Sequence, residues 1–305
     1  MKSLLSLAKL SLNLLLNLAL SPVYLVVIIT TTILAVSHIF PARVSRTNLR
    51  RQKNAGTVSA VIGTSAVLTH YFLILIEDFV FWPLGGLIIK TNSEVKKEIM
   101  NASTFAADSQ RGLAVLSAHF GNIEVSADSV MMTAIRHVHP NSPLIALAKP
   151  SRSQLATSFL AWYRRRRGLE IIQTNRKDLV RTMIQGFKHK RAIALLVDQK
   201  PARLGLFIEF FGTPAAFPEG GIEVAVRSQA EIVCFTSRRI FPGIYTYEGR
   251  WLKDELKSTE PVKKILEAYA AWLESVIHKS PWQWCWDYKK WSRVQAPLIS
   301  NFEKH

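Results

Sequence analysis

The chain has 305 residues, of which 49% are hydrophobic, and its formal net charge is +17. Its length suits one large α/β domain or two small ones, and its apolar content excludes a mainly disordered, collagen-like or low-complexity protein. Strong positive charge combined with high apolar content favours a membrane surface over a soluble nucleic-acid binder. Cys234 and Cys285 show no metal-ligand spacing, so we predict no disulfide framework, metal site or cofactor, and a reducing compartment.

The first predicted element is a membrane helix near the N-terminus. No Asp, Glu, Lys or Arg occurs in residues 10–42, whereas a spanning helix needs only about 20 apolar residues. A cleaved signal peptide fits poorly, because the apolar run is too long and no small-residue cleavage site follows it. A buried hydrophobic hairpin is the main alternative, and Pro22 either kinks the helix or marks its start.

Basic residues are concentrated after this apolar run. Only Lys2 and Lys9 precede it, whereas five basic residues follow within a short stretch: Arg43, Arg46, Arg50, Arg51 and Lys53. Positive charge flanks the cytoplasmic end of membrane helices, so the body of the protein is predicted to lie in the cytoplasm.

A second apolar stretch covers residues 55–89 and contains Glu77 and Asp78. Two acidic residues inside a spanning helix would be costly. We therefore interpret the stretch as helices that lie at the membrane interface or pack on the core, or as the hydrophobic floor of a binding groove.

From residue 111 onward, short apolar runs alternate with helical patterns. The runs of strand length are 113–117, 144–148, 169–173, 192–197 and 231–236, and the helical patterns are 122–137, 151–167, 175–189, 219–229 and 261–278. This alternation predicts an α/β fold, a three-layer sandwich around a mostly parallel or mixed sheet. We divide the chain into an anchor with its basic flank (1–53), interfacial or packing helices (54–110) and the main domain (111–305).

The main candidate for chemistry is the string Ser-Ala-His-Phe-Gly-Asn-Ile-Glu at 117–124, which follows the first predicted strand. His119 falls at a strand end, where functional groups of open α/β sheets collect, and Glu124 can fold back toward its imidazole. A carboxylate beside a histidine fixes the tautomer, which makes His119 a candidate general base toward a hydroxyl. Gly121 permits a tight turn and Asn122 is a good helix N-cap, so a structural histidine in a capped turn is the alternative.

Further polar groups follow other predicted elements. Asp198 and Gln199 end a predicted strand, where an Asp also serves as a turn residue or N-cap. The four arginines of 164–167 precede Gly168, which fits a helix C-terminus but equally a phosphate contact. Tryptophans 282, 284 and 286, near Lys289, Lys290 and Arg293, indicate a strand face or a membrane-interface belt, with core packing as the alternative.

These motifs resemble a known family of enzymes. His-x4-Glu at 119–124 is similar to the signature of the glycerolipid acyltransferase superfamily. The fuller string 118–124 resembles the late acyltransferases of lipid A biosynthesis, the lauroyl and myristoyl transferases of Gram-negative bacteria. Four more stretches resemble motifs of that family in order: Arg-x-x-x-Gly at 164–168, Asp-Gln at 198–199, Phe-Phe-Gly-x-Pro-Ala at 210–215 and a tryptophan-rich box at 281–290. The chain departs from the family pattern at 216–221 and at 287–288, where a histidine is common.

The resemblance implies an O-acyltransferase that moves a fatty acyl chain from acyl-carrier protein or acyl-CoA to a hydroxyl of a lipid A precursor or similar anionic glycolipid. It implies His119 and Glu124 as the catalytic pair, with backbone amides near Gly121 stabilising the oxyanion. Asp198 is expected to orient the acceptor or an arginine. The substrate-binding residues that it implies are Gly121, Asn122, Arg164, Arg167, Asp198 and Gln199.

The resemblance also implies a place in the bacterial inner membrane, with the catalytic domain facing the cytoplasm. The expected partners are the acyl donor, the anionic glycolipid and membrane lipids, and no nucleic acid is expected. A lipid hydrolase that uses the same histidine with water, and a membrane-tethered polyanion binder, are the alternatives.

One motif is expected to be a decoy. The block at 217–221 resembles the Phe-Pro-Glu-Gly-Thr block of glycerol-phosphate acyltransferases, in which the acid lies just past a core strand and faces the active site. In this chain that place falls on Asp198. Pro218 is therefore predicted at N1 of a helix, with Glu219 as an acid favourable to the helix dipole.

Overall fold

The computed structural model describes residues 2–36, 42–49, 57–90, 92–130, 143–149, 153–201, 205–288 and 290–291. The strands are β1 Ile88–Ile89, β2 Leu113–Ser117, β3 Leu144–Ala148, β4 Leu169–Gln173, β5 Ala192–Leu196, β6 Leu206–Phe210, β7 Thr213–Phe217, β8 Glu231–Phe241 and β9 Ile244–Trp251. The helices are α1 Lys2–Val36, α2 Ala42–Leu49, α3 Thr57–Ile76, a π-helical turn Glu77–Phe81, α4 Ser93–Asp108, α5 Ile123–Val130, α6 Gln154–Arg166, α7 Leu179–Lys188, α8 Gly220–Arg227 and α9 Pro261–Lys279.

A seven-stranded sheet forms the centre of the molecule, with the strand order β1-β9-β8-β2-β5-β3-β4. All neighbouring strands run parallel except β8 and β9, which form an antiparallel hairpin, and β6 and β7 form a separate antiparallel pair. The prediction of an α/β fold around a mostly parallel sheet is therefore confirmed.

Alternate residues of the central strands point to opposite faces of the sheet, and both faces are covered. On β2, Ala114 and Leu116 join the larger core cluster together with α7, α8 and α9, while Leu113 and Val115 join a second cluster with α4 and α5. A strand that is buried on both faces has a continuous run of apolar residues in its sequence. The central strands could therefore be predicted from the sequence.

The predicted boundaries differ from the structure in a few places. Three strands match residue for residue, β5 ends one residue earlier than predicted, and β8 extends to Phe241. The strands β1, β6, β7 and β9 were not predicted, and helix α4 lies in the range 54–110, for which packing helices were predicted without bounds. Helix α8 begins at Gly220, with Glu219 at the N-cap position, so Pro218 precedes the helix instead of opening it.

Several predictions fall on residues whose structure is not described. These are residues 131–137 of the helix predicted at 122–137, the start of the helix predicted at 151–167, and Arg50, Arg51, Lys53, Lys289 and Arg293. Arg43 and Arg46 lie on α2, but their side chains are outside the described part.

Two described helical segments are long and apolar enough to cross a membrane, Leu5–Val36 and Ala60–Phe81. They contact each other through hydroxyls, with Thr31 Oγ1 2.8 Å from Thr69 Oγ1, and many of the large apolar side chains of α1 are exposed. Pro22 lies inside α1, where it lacks the N–H that would bond the carbonyl of Leu18. The hydroxyl of Ser21 donates to that carbonyl at 2.8 Å instead, which shows how the helix continues through the proline.

Glu77 and Asp78 lie at the end of α3, in the π-helical turn, and both are buried in the protein. The two carboxylate oxygens of Glu77 accept hydrogen bonds from Arg239 at 2.7 and 2.6 Å, and Asp78 pairs with Arg167 at 3.2 Å. The acidic residues therefore do not interrupt the apolar helix. Buried charges are tolerated when they are paired, and each of these has its arginine.

The hairpin between β8 and β9 also holds the N-terminal helix. Asn13 is fully buried, and its Nδ2 donates to the carbonyls of Gly86 at 3.0 Å and Pro242 at 3.2 Å. Asn17 donates to the same Pro242 carbonyl at 3.2 Å. Helix α1 is thus joined to the body by buried polar contacts.

Candidate active site

His119 and Asp198 meet because two neighbouring parallel strands end side by side. Ser117 of β2 is in register with Leu196 of β5, so the residues that lie two positions beyond these strand ends reach the same edge of the sheet. His119 Nδ1 lies 2.8 Å from Asp198 Oδ1. The backbone N–H of His119 donates to Oδ2 of the same carboxylate at 2.9 Å, so the pair is held at two points.

Asp198 is almost fully enclosed, with 3% of its surface exposed. The indole N–H of Trp284 donates to Asp198 Oδ2 at 3.0 Å, so the carboxylate accepts three hydrogen bonds in all. Such a carboxylate stays ionised and orients the imidazole that donates to it.

The two members of the pair shift each other's pKa. Burial by itself lowers the pKa of His119, but the charge and hydrogen bond of Asp198 outweigh it, and the pKa is raised above its ordinary value. Burial likewise opposes ionisation of Asp198, but the charge and hydrogen bonds of His119 outweigh it and lower the pKa of the carboxyl. The geometry therefore favours proton uptake by His119.

The second ring nitrogen of His119 faces a cavity. Gln199 Nε2 lies 2.9 Å from His119 Nε2, and the ring of Tyr288 stacks beside the imidazole at a centroid distance of 6.2 Å. With Nδ1–H given to Asp198, Nε2 carries the lone pair, and the Gln199 amide donates to it. The His119 side chain is 24% exposed, so a hydroxyl that displaces this amide can reach Nε2.

Glu124 does not contact His119, which corrects the predicted His119–Glu124 pair. Its Oε1 accepts a hydrogen bond from Arg164 Nε at 2.8 Å. Glu124 lies in the first turn of α5 and Arg164 in the last turn of α6, so the pair connects two helices on one side of the cavity. Asp198 occupies the place beside the imidazole that was predicted for Glu124, and it was expected instead to orient the acceptor or an arginine.

Arg167 was predicted to bind substrate, but its guanidinium is completely buried. It pairs with Asp78 and Asp128 and donates to the hydroxyl of Tyr163. Burial opposes its charge, yet the hydrogen bond and charge of Asp128 outweigh burial and raise the pKa of Arg167. Arg167 therefore ties α6 to α5 and to the end of α3 instead of facing a ligand.

Replacing Arg167 with methionine is expected to destabilise the protein strongly, because Asp78 and Asp128 lose their buried counter-ion. Breaking a buried pair in this way typically costs about 3–5 kcal/mol. The measurement is the melting temperature of the purified variant in detergent. Arg166→Met is the matched control, because Arg166 is exposed and lies over the ring of Trp162. An equal, small effect of both changes would contradict the structural role of Arg167.

Asn122 and Gly121 build the turn that carries His119, and neither offers a free group to a substrate. Asn122 is fully buried, and its Oδ1 accepts from the backbone N–H of Glu124 and Val125 at the start of α5. Gly121 has φ +63°, and a Cβ there would lie 2.0 Å from the carbonyl oxygen of Ser237. Its N–H donates to the carbonyl of Gln283 at 2.9 Å. The predicted substrate-binding roles of both residues therefore do not fit the structure, and of the backbone amides near Gly121 that were expected to stabilise an oxyanion, that of Gly121 itself is already bonded.

A hydrogen-bond network from the apolar helix α3 reaches the same turn. Arg239 donates to Nδ1 of His70, so His70 carries its proton on Nε2 and donates to the carbonyl of Gly121 at 3.1 Å. Arg239 is itself paired with Glu77. Sequence reasoning missed this network, because the only signal was the cost of placing Glu77 in an apolar stretch.

The tryptophan-rich box 281–290 packs next to the His119–Asp198 pair, through the contact of Trp284 with Asp198. Trp284 and Trp286 are buried in the core, as the core-packing alternative predicted, and Trp282 is 48% exposed. Lys290 is also buried, with its Nζ donating to the carbonyl of Ala216 at 2.8 Å. Burial lowers the pKa of Lys290 to about 7, against the attraction of Asp198.

A cavity of about 630 Å³ opens in front of His119. At the carboxyl ends of the strands it is lined by polar groups: His119, Glu124, Arg164, Gln199 and Tyr288. Along one face of the sheet it is lined by apolar side chains: Val115, Leu144, Ala146, Leu169, Ala194, Leu196 and Phe235. Pro218 and Gly221 also line it, whereas Glu219 is not among the described lining residues. The cavity thus has the imidazole of His119 at one end and an apolar wall that suits a hydrocarbon chain.

Within the described part of the chain, no group of three or more His, Cys, Asp or Glu side chains is arranged to hold a metal ion.

Comparison with known proteins identifies one family. The model of the family described as bacterial lipid A biosynthesis acyltransferase matches residues 79–293, which is more than half of the chain. A search of curated proteins finds no significant match. The matched range begins in the π-helical turn after α3 and includes the whole sheet and the cavity.

Proposed function

The chain belongs to the bacterial lipid A biosynthesis acyltransferases, and on this premise we propose that it moves a fatty acyl chain from a thioester donor to a hydroxyl of a lipid A precursor or similar phosphorylated glycolipid. The observation that carries the proposal is the His119–Asp198 pair at the mouth of an apolar-walled cavity. Acyl transfer needs these two features together, a base for the acceptor hydroxyl and a place for the chain.

In the proposed reaction His119 acts as the general base. The acceptor hydroxyl displaces the Gln199 amide from Nε2 and gives its proton to the imidazole, while Asp198 stabilises the imidazolium through Nδ1–H. The oxygen attacks the thioester carbonyl directly. The imidazolium then returns the proton to the departing thiolate.

The acyl chain is proposed to lie along the apolar wall of the cavity. Val115, Ala146 and Ala194 come from three neighbouring strands and form a smooth surface of small and medium side chains. A volume of about 630 Å³ is within the range of ligand pockets. Burying apolar chain there gains about 0.8 kcal/mol for each CH₂ group.

Arg164 is proposed to contact the phosphorylated end of the acceptor. Its Nε–H is bonded to Glu124, but a guanidinium has five N–H donors in total, and Arg164 lines the cavity. Glu124 then holds the arginine in place and keeps the pair neutral when no acceptor is bound. Glu124 is thus proposed to be a positioning residue.

The donor is proposed to be acyl-carrier protein or acyl-CoA. Carrier protein is acidic, and the net charge of +17 would steer it toward this chain. The test gives the purified full-length protein the same acyl group on either donor, with a lipid A precursor as acceptor. Mass spectrometry should show an acylated glycolipid.

The same assay separates the alternatives. Free fatty acid without acylated glycolipid would identify a lipid hydrolase. Absence of both products, together with salt-dependent binding of DNA in a gel shift, would identify a polyanion binder.

The proposed location is the bacterial inner membrane, with the sheet on the cytoplasmic side. Family membership and the apolar helices support membrane association. The proposed side follows from the basic residues after α1 and from the thioester donors, which are made in the cytoplasm.

Full-length protein is expected to stay in the membrane pellet when membranes are washed with alkaline carbonate. A spanning helix buries about 20 apolar residues in hydrocarbon, so raising the pH cannot release it. The fractions are compared by immunoblot, with a peripheral membrane protein in the same sample as the control. Release of the full-length protein together with that control would contradict a spanning anchor.

A further inference from the structure

Ser117 is a buried residue whose hydroxyl is unused. Only 7% of Ser117 is exposed, and within the described structure Ser117 Oγ and Ser45 Oγ are the buried side-chain polar atoms that have no hydrogen-bond partner. An unbonded buried hydroxyl costs about 1–3 kcal/mol, so its presence calls for an explanation. The backbone of Ser117 does have partners, because its carbonyl accepts from Tyr269 Oη and from the N–H of Val197.

The position of Ser117 points to a substrate contact. It is the last residue of β2 and lines the cavity, as do Val115 two residues before it and His119 two residues after it. Side chains two apart on a strand share a face. Ser117 therefore lies between the apolar wall and His119.

A thioester bound for the proposed reaction has its carbonyl in the same place. Its hydrocarbon chain would follow the apolar wall, and its carbonyl carbon must lie within reach of the acceptor oxygen at His119 Nε2. A developing negative charge on the carbonyl oxygen then needs a nearby donor. The amide of Gly121 cannot serve, because it already donates to Gln283.

We propose that the Ser117 hydroxyl donates a hydrogen bond to the carbonyl oxygen of the acyl thioester and to the oxyanion formed from it. This inference rests on the acyl transfer proposed above. The acceptor oxygen gives its proton to His119 and bonds the carbonyl carbon, and the π electron pair moves to the oxygen facing Ser117. When that pair returns, the carbon–sulfur bond breaks and the thiolate takes the proton from His119.

Ser117 is not placed to act as a nucleophile. Both nitrogens of His119 already have other partners, Asp198 at Nδ1 and Gln199 at Nε2, and the Ser117 hydroxyl bonds neither. A serine nucleophile requires a base within hydrogen-bond reach. The proposed role of the hydroxyl is therefore to donate a hydrogen bond to the oxyanion.

The test is a comparison of Ser117→Ala with Ser45→Ala in the full-length protein. Each change removes a buried hydroxyl without a partner, so neither should lower the melting temperature. Ser45 lies on α2 and does not line the cavity. We expect Ser117→Ala to lower kcat by about 10²–10³-fold with little change in KM, because an oxyanion donor acts in the transition state. Ser45→Ala should keep the wild-type kcat.

Each other outcome has a definite meaning. Normal kcat in a folded Ser117→Ala variant, or a rise in KM alone, would overturn the oxyanion role while leaving acyl transfer intact. An acyl group attached to the wild-type enzyme but not to Ser117→Ala, detected as added mass when acceptor is absent, would replace the inference with a serine nucleophile. If wild-type protein transfers no acyl group from either donor, the proposed function itself fails.

Discussion

Replacing His119 with alanine is expected to lower kcat for acyl transfer by about 10²–10⁴-fold, the usual effect of removing a general base. The protein should remain folded, because Asp198 keeps its hydrogen bonds from Trp284 and from the backbone N–H of residue 119. The measurements are initial rates with a thioester donor and the melting temperature of the same preparation.

His189→Ala is the matched control for this prediction. His189 is exposed at the end of α7, and its Nδ1 bonds only the carbonyl of Gln185 in its own helix. Its loss should leave acyl transfer at the wild-type rate. A stable His119→Ala variant with near-normal turnover would remove the general base from the mechanism.

Asp198→Asn is expected to lower kcat by a similar factor of about 10²–10⁴. An amide at this position can donate to Nδ1, which would move the imidazole proton to Nε2, where the base must accept. Asp198 also raises the pKa of His119, so its loss lowers that pKa. The acid limb of the pH profile, which reflects protonation of the base, should therefore move to lower pH for the residual activity.

Glu219→Gln is the control for Asp198→Asn. Glu219 is at the N-cap of α8, where its side chain makes no cap hydrogen bond, and the described cavity lining does not include it. Most activity should therefore remain. An inactive Glu219→Gln beside a healthy Asp198→Asn would mean that the carboxylate of Glu219, and not that of Asp198, serves the reaction.

The central part of the fold could be predicted because its sequence signals are local. The strands β2, β3 and β4 are short runs in which apolar residues predominate, and β2 is buried along its whole length, so their boundaries were found to the residue. Strand β6 has only alternate positions buried and carries Glu209 in its middle, and β7 contains Pro214, so both strand patterns were weak. Helix α4 has little apolar character outside one narrow face.

The candidate site was found in part. His119, Glu124, Arg164 and Gln199 line one cavity, and Asp198 is buried next to it, hydrogen-bonded to His119. Their pairing could not be read from the chain, because spacing favoured Glu124 as the neighbour of His119. The register of β2 and β5, which are separated by two other strands in sequence, brings Asp198 to the imidazole instead.

The other incorrect or missing site predictions also depend on tertiary contacts that the sequence does not show. Arg167 and Asn122 carry polar groups that could bind a ligand, but both side chains donate hydrogen bonds to Asp78 instead. Ser117 is the reverse case. Nothing in the sequence distinguished it from the apolar strand that it ends, yet its hydroxyl has no hydrogen-bond partner. Only the arrangement of neighbours shows which polar atom is occupied and which is free.

The link from Glu77 through Arg239 and His70 to Gly121 has a consequence for handling the protein. A soluble fragment that starts at residue 111 would leave Arg239 buried without its counter-ion, and the turn that carries His119 would lose the hydrogen bond from His70. The apolar helices are thus part of the scaffold that shapes the active site, and not a detachable tether. A preparation freed of them for convenience would be a different protein, and inactivity in it would say nothing about the chemistry of the intact enzyme.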